Sequence, residues 1–317
     1  MKRLAVLLLA ALPASAGTLL VTNKVDATLS FVDTATMKVV ASIPTGEGPH
    51  EVAATADGTF AIVANYGTGP NPGSSLMLID VKARKELRRI ALPGLYRPHG
   101  LAAVGSRFYV TTEGSKTVFR YDPAKDQIDW LAGTGQEISH MVAVTPDERK
   151  VYTANIASDT VTSFELGEWP RRLKMTQIAT GKGPEGIDVS PDGKEVWAAQ
   201  RGDGGIAVID TATDKVTKTL AGGQLPIRLR FTPDGKRVLV NDAPSKEILV
   251  FDAATKELIN KVQIAEDPVG IIIDDTGKFA YIACTGARKV AALDLAKLEV
   301  TAWVETGEQP DGLAYVK

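Results

Sequence analysis

A chain of 317 residues with 44% hydrophobic and 23% charged side chains has the material for a sizeable buried core, and nothing in it reads as disordered. Its formal charge of −2 becomes −4 once residues 1–16, which hold Lys2 and Arg3 and no acid, are set aside, so no basic field for nucleic acid is present. The single cysteine, Cys284, excludes an internal disulfide and a C-x-x-C-H haem attachment; inside the apolar run AYIACTG it is expected to be a small buried residue.

In chain order, residues 1–16 read MKRLAVLLLAALPASA: two basic residues, an apolar run from Leu4 to Leu12, and Ala14-Ser15-Ala16 as a small-residue cleavage site. That pattern predicts a secretory signal peptide, a mature chain from Gly17, and a periplasmic or extracellular location. The apolar run is much shorter than the roughly 20 residues that span a bilayer, and no later stretch qualifies. Glycine at 17, where a bacterial lipid anchor needs cysteine, predicts a soluble product.

From residue 17 onward the chain repeats. LLVTN, AIVAN, FYVTT, VYTAN, VWAAQ, VLVN and AYIAC end at Asn23, Asn65, Thr112, Asn155, Gln200, Asn241 and Cys284, at intervals of 41 to 47 residues. A second column closes on Asp33, Asp80, Asp122, Glu165, Asp210, Asp252 and Asp294. Each of these acids precedes a turn such as DTATMK, so the column is expected to start turns by binding backbone N–H groups rather than to do chemistry. With the PDG-type turns at 55–58, 190–193 and 232–235, every repeat holds four short strands: one led by P-x-G, the VTN type, the one ending in aspartate, and an outer strand such as KVVASI. Four strands in some 40 to 45 residues is the period of a propeller blade.

Residues 17–317 are therefore expected to be one all-β domain, a seven-bladed β-propeller with four-stranded blades. The mature chain opens on strands two to four of a blade and finishes on a first strand, DGLAYVK, so one blade is shared between the termini. The basic clusters Lys82 to Arg89 and Arg171 to Lys174 fall on outer strands, where charge discourages edge pairing.

The VTN strand, the VID strand and the PDGK turn resemble the YVTN family of β-propeller repeats over the whole mature chain. The resemblance implies the architecture and says little about activity, since one scaffold hosts many functions. Proteins of this type and size are typically secreted, and some accompany quinoprotein oxidation systems, which implies a redox partner.

Alignment on the residue after the P-x-G proline gives the column His50, His99, His140, Glu185, Ile227, Val269 and Asp311, which contains every histidine of the chain. In a propeller the start of the innermost strand lies at one mouth of the central channel, so the column forms a ring, ionisable from Asp311 through His140 to Glu185 and apolar at Ile227 and Val269. His50, His99 and His140 beside two acids have the composition of a divalent transition-metal shell. Equally, a wet channel mouth accommodates polar side chains that contact solvent or an organic ligand. Glu51, Arg97 and Arg228 lie beside the ring, and Lys24, Tyr66, Glu113, Arg201, Asp242 and Arg288 sit on loops that open on the same face. The loop Tyr66 to Ser75, YGTGPNPGSS, is long enough to overhang the channel.

GKGPEG at 181–186 matches G-x-G-x-x-G but opens a strand instead of a helix, so it is a turn and no pyrophosphate site. No P-loop or G-x-S-x-G elbow exists. Three functional readings follow. The first is a secreted monomeric binding protein that recognises a small molecule or an extracytoplasmic protein partner at the histidine-bearing mouth. The second is a metal-assisted lactonase or lyase acting there. The third is a haem-binding propeller related to the d1-haem domains, which have eight blades where this chain has seven.

Overall fold

The computed structural model describes residues 17–167 and 173–317. The expected signal peptide and Arg171 lie outside the described residues. Seven four-stranded antiparallel sheets follow one another around a central axis; in six of them the strands run from the innermost outward in chain order, and in the seventh the last strand of the chain lies inside the first three. The innermost strands are Pro310–Val316, Pro49–Ala54, Pro98–Val104, Ser139–Val144, Pro184–Val189, Pro226–Phe231 and Pro268–Ile273, which belong to blades one to seven in that order. The described helical structure is two 3-10 turns, Ile156–Ser158 and Thr285–Ala287.

Short strands rich in valine, isoleucine and aromatics bury both faces because each blade is covered by its two neighbours. The cores lie between blades. Trp197 meets Phe231 and Phe251 edge-on at 5.6 and 6.1 Å between ring centres, filling the gap between blades five and six. Cys284 is free and buried in the equivalent layer between blades six and seven. Lys150 and the Tyr152 hydroxyl both donate to Asp214 at 2.9 Å, linking blades four and five by a polar contact.

Six of the seven acids of the column cap the turns that follow them, while Glu165 accepts from Lys174 Nζ at 2.6 Å. Oδ1 of Asp33, Asp80 and Asp210 accepts the N–H of the residue three positions on at 2.8 Å each, and Asp122, Asp252 and Asp294 cap in the same way. In the PDG-type turns Gly58, Gly193 and Gly235 hold φ near +70°, a left-handed backbone that glycine adopts without a Cβ penalty. On the outer edges, Lys85–Ala91 carries Arg88 and Arg89, and Lys174–Ala179 begins with lysine.

Closure is made by one blade from both ends of the domain. Thr18–Asn23 pairs on one side with Thr28–Asp33 and on the other with Pro310–Val316, where Leu19 faces Tyr315 and Val21 faces Leu313. The last strand thus covers the inner edge of Thr18–Asn23 and completes the fourth strand of that blade.

Candidate functional site at the channel mouth

In four innermost strands the residue after the channel-column position is glycine: Gly100 after His99, Gly186 after Glu185, Gly270 after Val269 and Gly312 after Asp311. A Cβ on Gly100 would lie 2.4 Å from the His140 carbonyl oxygen, and one on Gly312 would lie 2.5 Å from that of His50. Glycine thus lets neighbouring innermost strands approach backbone to backbone and narrows the channel at this end. Threonines of the second strands fasten the approach: Thr22 Oγ1 donates to the His50 carbonyl at 2.9 Å and Thr111 Oγ1 to that of His140 at 2.5 Å, each across a blade boundary.

Narrowing brings the three histidines into one arc. His50 Nδ1 and His99 Nε2 share a hydrogen bond of 3.1 Å, and the His99 and His140 rings lie 3.8 Å apart at 33°. His140 Nδ1 bonds Glu113, while its Nε2 stands 3.5 Å from Glu185 Oε1, too far for a good hydrogen bond. Glu113 in turn accepts from the Tyr66 hydroxyl at 2.5 Å, and Tyr66 packs on His50 at 4.4 Å and His99 at 5.4 Å between ring centres. At the other end of the arc Asp311 Oδ2 lies 3.7 Å from His50 Nδ1 and 3.2 Å from Lys24 Nζ.

Arg228 occupies the side that the column of Ile227 and Val269 marks as apolar. From blade six it donates to Glu185 of blade five at 3.0 Å and, across the channel, to Glu51 of blade two at 2.9 Å. The mouth therefore has two layers. His99, His140, Glu51, Glu185, Arg228 and Asp311 form a floor that is buried, none more than 9% exposed, in place of the solvated ring that a wet mouth would give. His50, Tyr66, Lys24, Arg97 and Arg201 form a more open rim, with Arg201 donating to Glu185 at 2.7 Å and Arg97 over the Tyr66 ring at 5.0 Å.

Two loop residues do not join this site. Asp242 caps the turn before blade six through Gln224 and Leu225, and Arg288 pairs with Glu308 at 2.8 Å. The 66–75 insertion lengthens a hairpin and is tied back by Arg97 Nη2, which donates to the Gly69 carbonyl at 2.8 Å. Glu113 is the central addition: it bridges Tyr66 and His140, and its signal in the sequence was its place on the loop following a VTN-type strand.

For a metal, the set the fold assembles is His99, Glu113 and His140, whose candidate ligand atoms all lie within 4.8 Å of one another; His50 stands outside that group. His99 Nδ1 and His140 Nε2 are buried without a hydrogen-bond partner among the described residues, so two imidazole nitrogens remain for a ligand.

The three imidazoles differ in charge. Burial depresses His50 to about 4, with Asp311 opposing and Lys24 assisting, and burial together with the neighbouring cationic His140 holds His99 well below the ordinary range. For His140 burial is overcome by its contacts with Glu113 and Glu185, which lift it to about 9. Burial would raise Glu185 too, but the His140, Arg228 and Arg201 charges bring it down to about 2. A histidine raised on folding stabilises fully below its unfolded value of about 6.5, and the gain is lost as pH climbs through the folded value of about 9. His50 stays neutral, and its protonation weighs against the fold only as pH falls from about 6.5 towards 4. In metal-free protein, NMR of the imidazole Cε1–H signals is expected to show one histidine titrating near 9 and another near 4; three curves clustered at 6 to 7 would contradict this charge pattern.

Comparison with known proteins places the fold. No curated protein sequence matches the chain. The structure of a functionally unknown protein from Desulfotomaculum acetoxidans superposes with a TM-score of 0.82 at 15% identity, over 95% of this chain and 99% of that one. A Bacteroides uniformis protein provisionally assigned as a 6-phosphogluconolactonase gives 0.79 at 13% identity over 95% and 99%, and Kuenenia stuttgartiensis hydrazine synthase gives 0.71 at 19% over 84% and 89%. At these identities the likeness is one of fold. Among the described residues no helix is long and apolar enough to cross a membrane. Two family models match: the YNCE-like beta-propeller over residues 168–316 and the SMP-30/Gluconolactonase/LRE-like region over residues 14–227. Because the second covers more than half of the chain, and the first carries the propeller signature on to its last blade, the chain belongs to the SMP-30/gluconolactonase/LRE-like family.

Proposed function

We propose that the protein is an extracytoplasmic binding propeller that takes up a divalent transition-metal ion in the floor of its channel mouth and offers the rim to a small molecule or protein partner. The observation that carries this reading is the pair of buried nitrogens on His99 and His140 that lack a hydrogen bond among the described residues, beside the Glu113 carboxylate. Two imidazoles and one carboxylate suit zinc, copper, nickel or iron, and an incoming cation displaces the His140 proton, so binding weakens as pH falls. Export is served by the 1–16 segment, with its basic start, apolar run and A-x-A end.

Metal-free protein titrated calorimetrically with zinc or copper is expected to bind one ion per chain. His99→Gln and Glu113→Gln, which keep polar groups in place, are expected to weaken binding by about 10- to 100-fold or more. His50→Gln, which removes no ligand atom but alters the hydrogen bond to His99 Nε2, is expected to weaken binding less than either of these. No uptake by the wild type, or equal uptake by all three variants, rejects the site.

The family description and the Bacteroides neighbour favour a second reading, lactone hydrolysis at the same mouth. A metal there supplies Lewis-acid chemistry to a carbonyl. This chain's own part is a neutral His50 on the rim, the Tyr66 hydroxyl, and the Lys24 and Arg201 cations to orient an anionic substrate. Metal-loaded protein assayed in a pH-stat against a panel of lactones separates the readings: turnover that vanishes in His99→Gln makes the protein an enzyme, and its absence leaves the binding role.

A further inference from the structure

The opposite end of the channel holds a cavity. Four of the seven innermost strands have alanine at their fifth position, Ala53, Ala102, Ala143 and Ala314, and these small side chains leave a cavity of about 260 Å³ on the axis. It lies at the far end of the innermost strands from the histidines. Among its lining residues the only charged ones are Asp188 and Arg230, at the same fifth position of adjacent blades.

This ion pair is loosely made. Arg230 Nη1 and Asp188 Oδ1 stand 3.5 Å apart, beyond hydrogen-bond distance, and no hydrogen bond satisfies the Arg230 guanidinium among the described residues. The carboxylate is held by the backbone: the Phe231 N–H donates to Asp188 Oδ2 at 2.9 Å, leaving Oδ1 on the side of Arg230. Both side chains are about one quarter exposed, and the exposure opens into the cavity they line.

We infer that this cavity is a binding site for a free α-amino acid with an apolar side chain. A planar guanidinium with unmatched donors takes a carboxylate through paired N–H bonds, and a fixed carboxylate oxygen beside it takes an ammonium. A zwitterion satisfies both without leaving net charge in a low-dielectric space, whereas a simple anion faces Asp188 and a simple cation faces Arg230. The alanine, valine and leucine walls receive the apolar side chain. A volume just under the usual 300 to 1,000 Å³ of pockets for larger ligands fits a molecule of amino-acid size.

The inference is independent of the metal reading, since no residue is shared between the two ends. Calorimetry with L-leucine is the test, beside 4-methylpentanoic acid, which lacks the ammonium, and 3-methylbutylamine, which lacks the carboxylate. Leucine is expected to bind and to raise the melting temperature, and each analogue to bind at least about tenfold more weakly. Arg230→Met and Asp188→Asn are expected to lose leucine by a similar factor with circular dichroism unchanged; Arg230→Lys, which keeps the charge and loses the fork, serves if the methionine variant misfolds. His99→Gln binds leucine like the wild type. Silence of the wild type toward leucine and the other apolar amino acids at millimolar concentration, or an analogue binding as tightly as leucine, overturns the proposal.

Discussion

Deleting residues 311–317 is expected to remove cooperative thermal unfolding, or to lower the melting temperature by about 10 to 20 °C. The segment is most of the innermost strand of the blade built from both ends of the domain, and Leu313, Ala314 and Val316 are each less than 10% exposed. Burial of a leucine or valine stabilises by about 1.5 to 3 kcal/mol each, so the two larger side chains alone account for about 3 to 6 kcal/mol. A whole domain has only about 5 to 15 kcal/mol in hand. The deletion also exposes the edge of Thr18–Asn23 and removes the Asp311 partner of Lys24. Scanning calorimetry of the truncated chain decides it. Leu313→Ala, which keeps the strand, separates lost packing from lost closure: it is expected to cost about 2 to 5 kcal/mol while unfolding remains a single transition. A truncated chain that melts with the wild type would falsify the shared-blade account of stability.

The second large effect is expected from Arg228→Met, at about 3 to 5 kcal/mol, because removing one partner of a buried ion pair strands the other. Arg228 is 6% exposed and faces two carboxylates, but they are not equally placed. Glu185 keeps His140 and Arg201 when the arginine goes. Glu51 has Arg228 as its one hydrogen-bond partner among the described residues, and burial already holds its carboxyl above the usual range despite the arginine. Without the guanidinium that elevation grows. A carboxyl raised on folding binds more protons in the native state, so its penalty appears as pH rises through the unfolded value near 4.5 and shrinks below it. Urea denaturation of the variant should therefore show a smaller deficit relative to wild type at about pH 5 than at pH 7, and Arg228→Met combined with Glu51→Gln should recover much of the loss. A deficit below about 1 kcal/mol, or one indifferent to pH, would show that the cross-channel link is not a structural strut.

The fold was legible because each of its rules acts on neighbours in sequence. The VTN column marks strands sandwiched between blades, Asp33 and its counterparts must cap the turns that follow them, and the PDG glycines must turn left-handed. The histidine ring was legible for a related reason, since one repeat position maps to one height on the channel axis. What the sequence could not carry were relations across the channel. Nothing in the spacing of Arg228 and Glu51, 177 residues apart, announces a contact between blades six and two. Ile227 and Val269 pointed to an apolar side, yet Arg228, one position along, fills it by reaching Glu185 and Glu51. Glu113 lay in view among the loop residues, but its pairing with His140 rather than with solvent depends on how closely blades three and four approach, which Gly100 and Thr111 decide. The substitution of Glu113 for His50 in the metal group follows from that approach.

The shared blade also sets a clock. Thr22 and Gly312 are hydrogen-bonded across 290 residues of chain, so the last contacts of the ring cannot form until the final strand has been made. At a synthesis rate of about 5 to 20 residues per second, the strand Thr18–Asn23 waits on the order of 15 to 60 s for its partner. During that interval its inner edge is unpaired and the ring is an open arc, the state most exposed to association with other strands. Closure is thereby timed by synthesis of the strand Pro310–Val316, which acts as the latch that converts an open arc into a closed propeller.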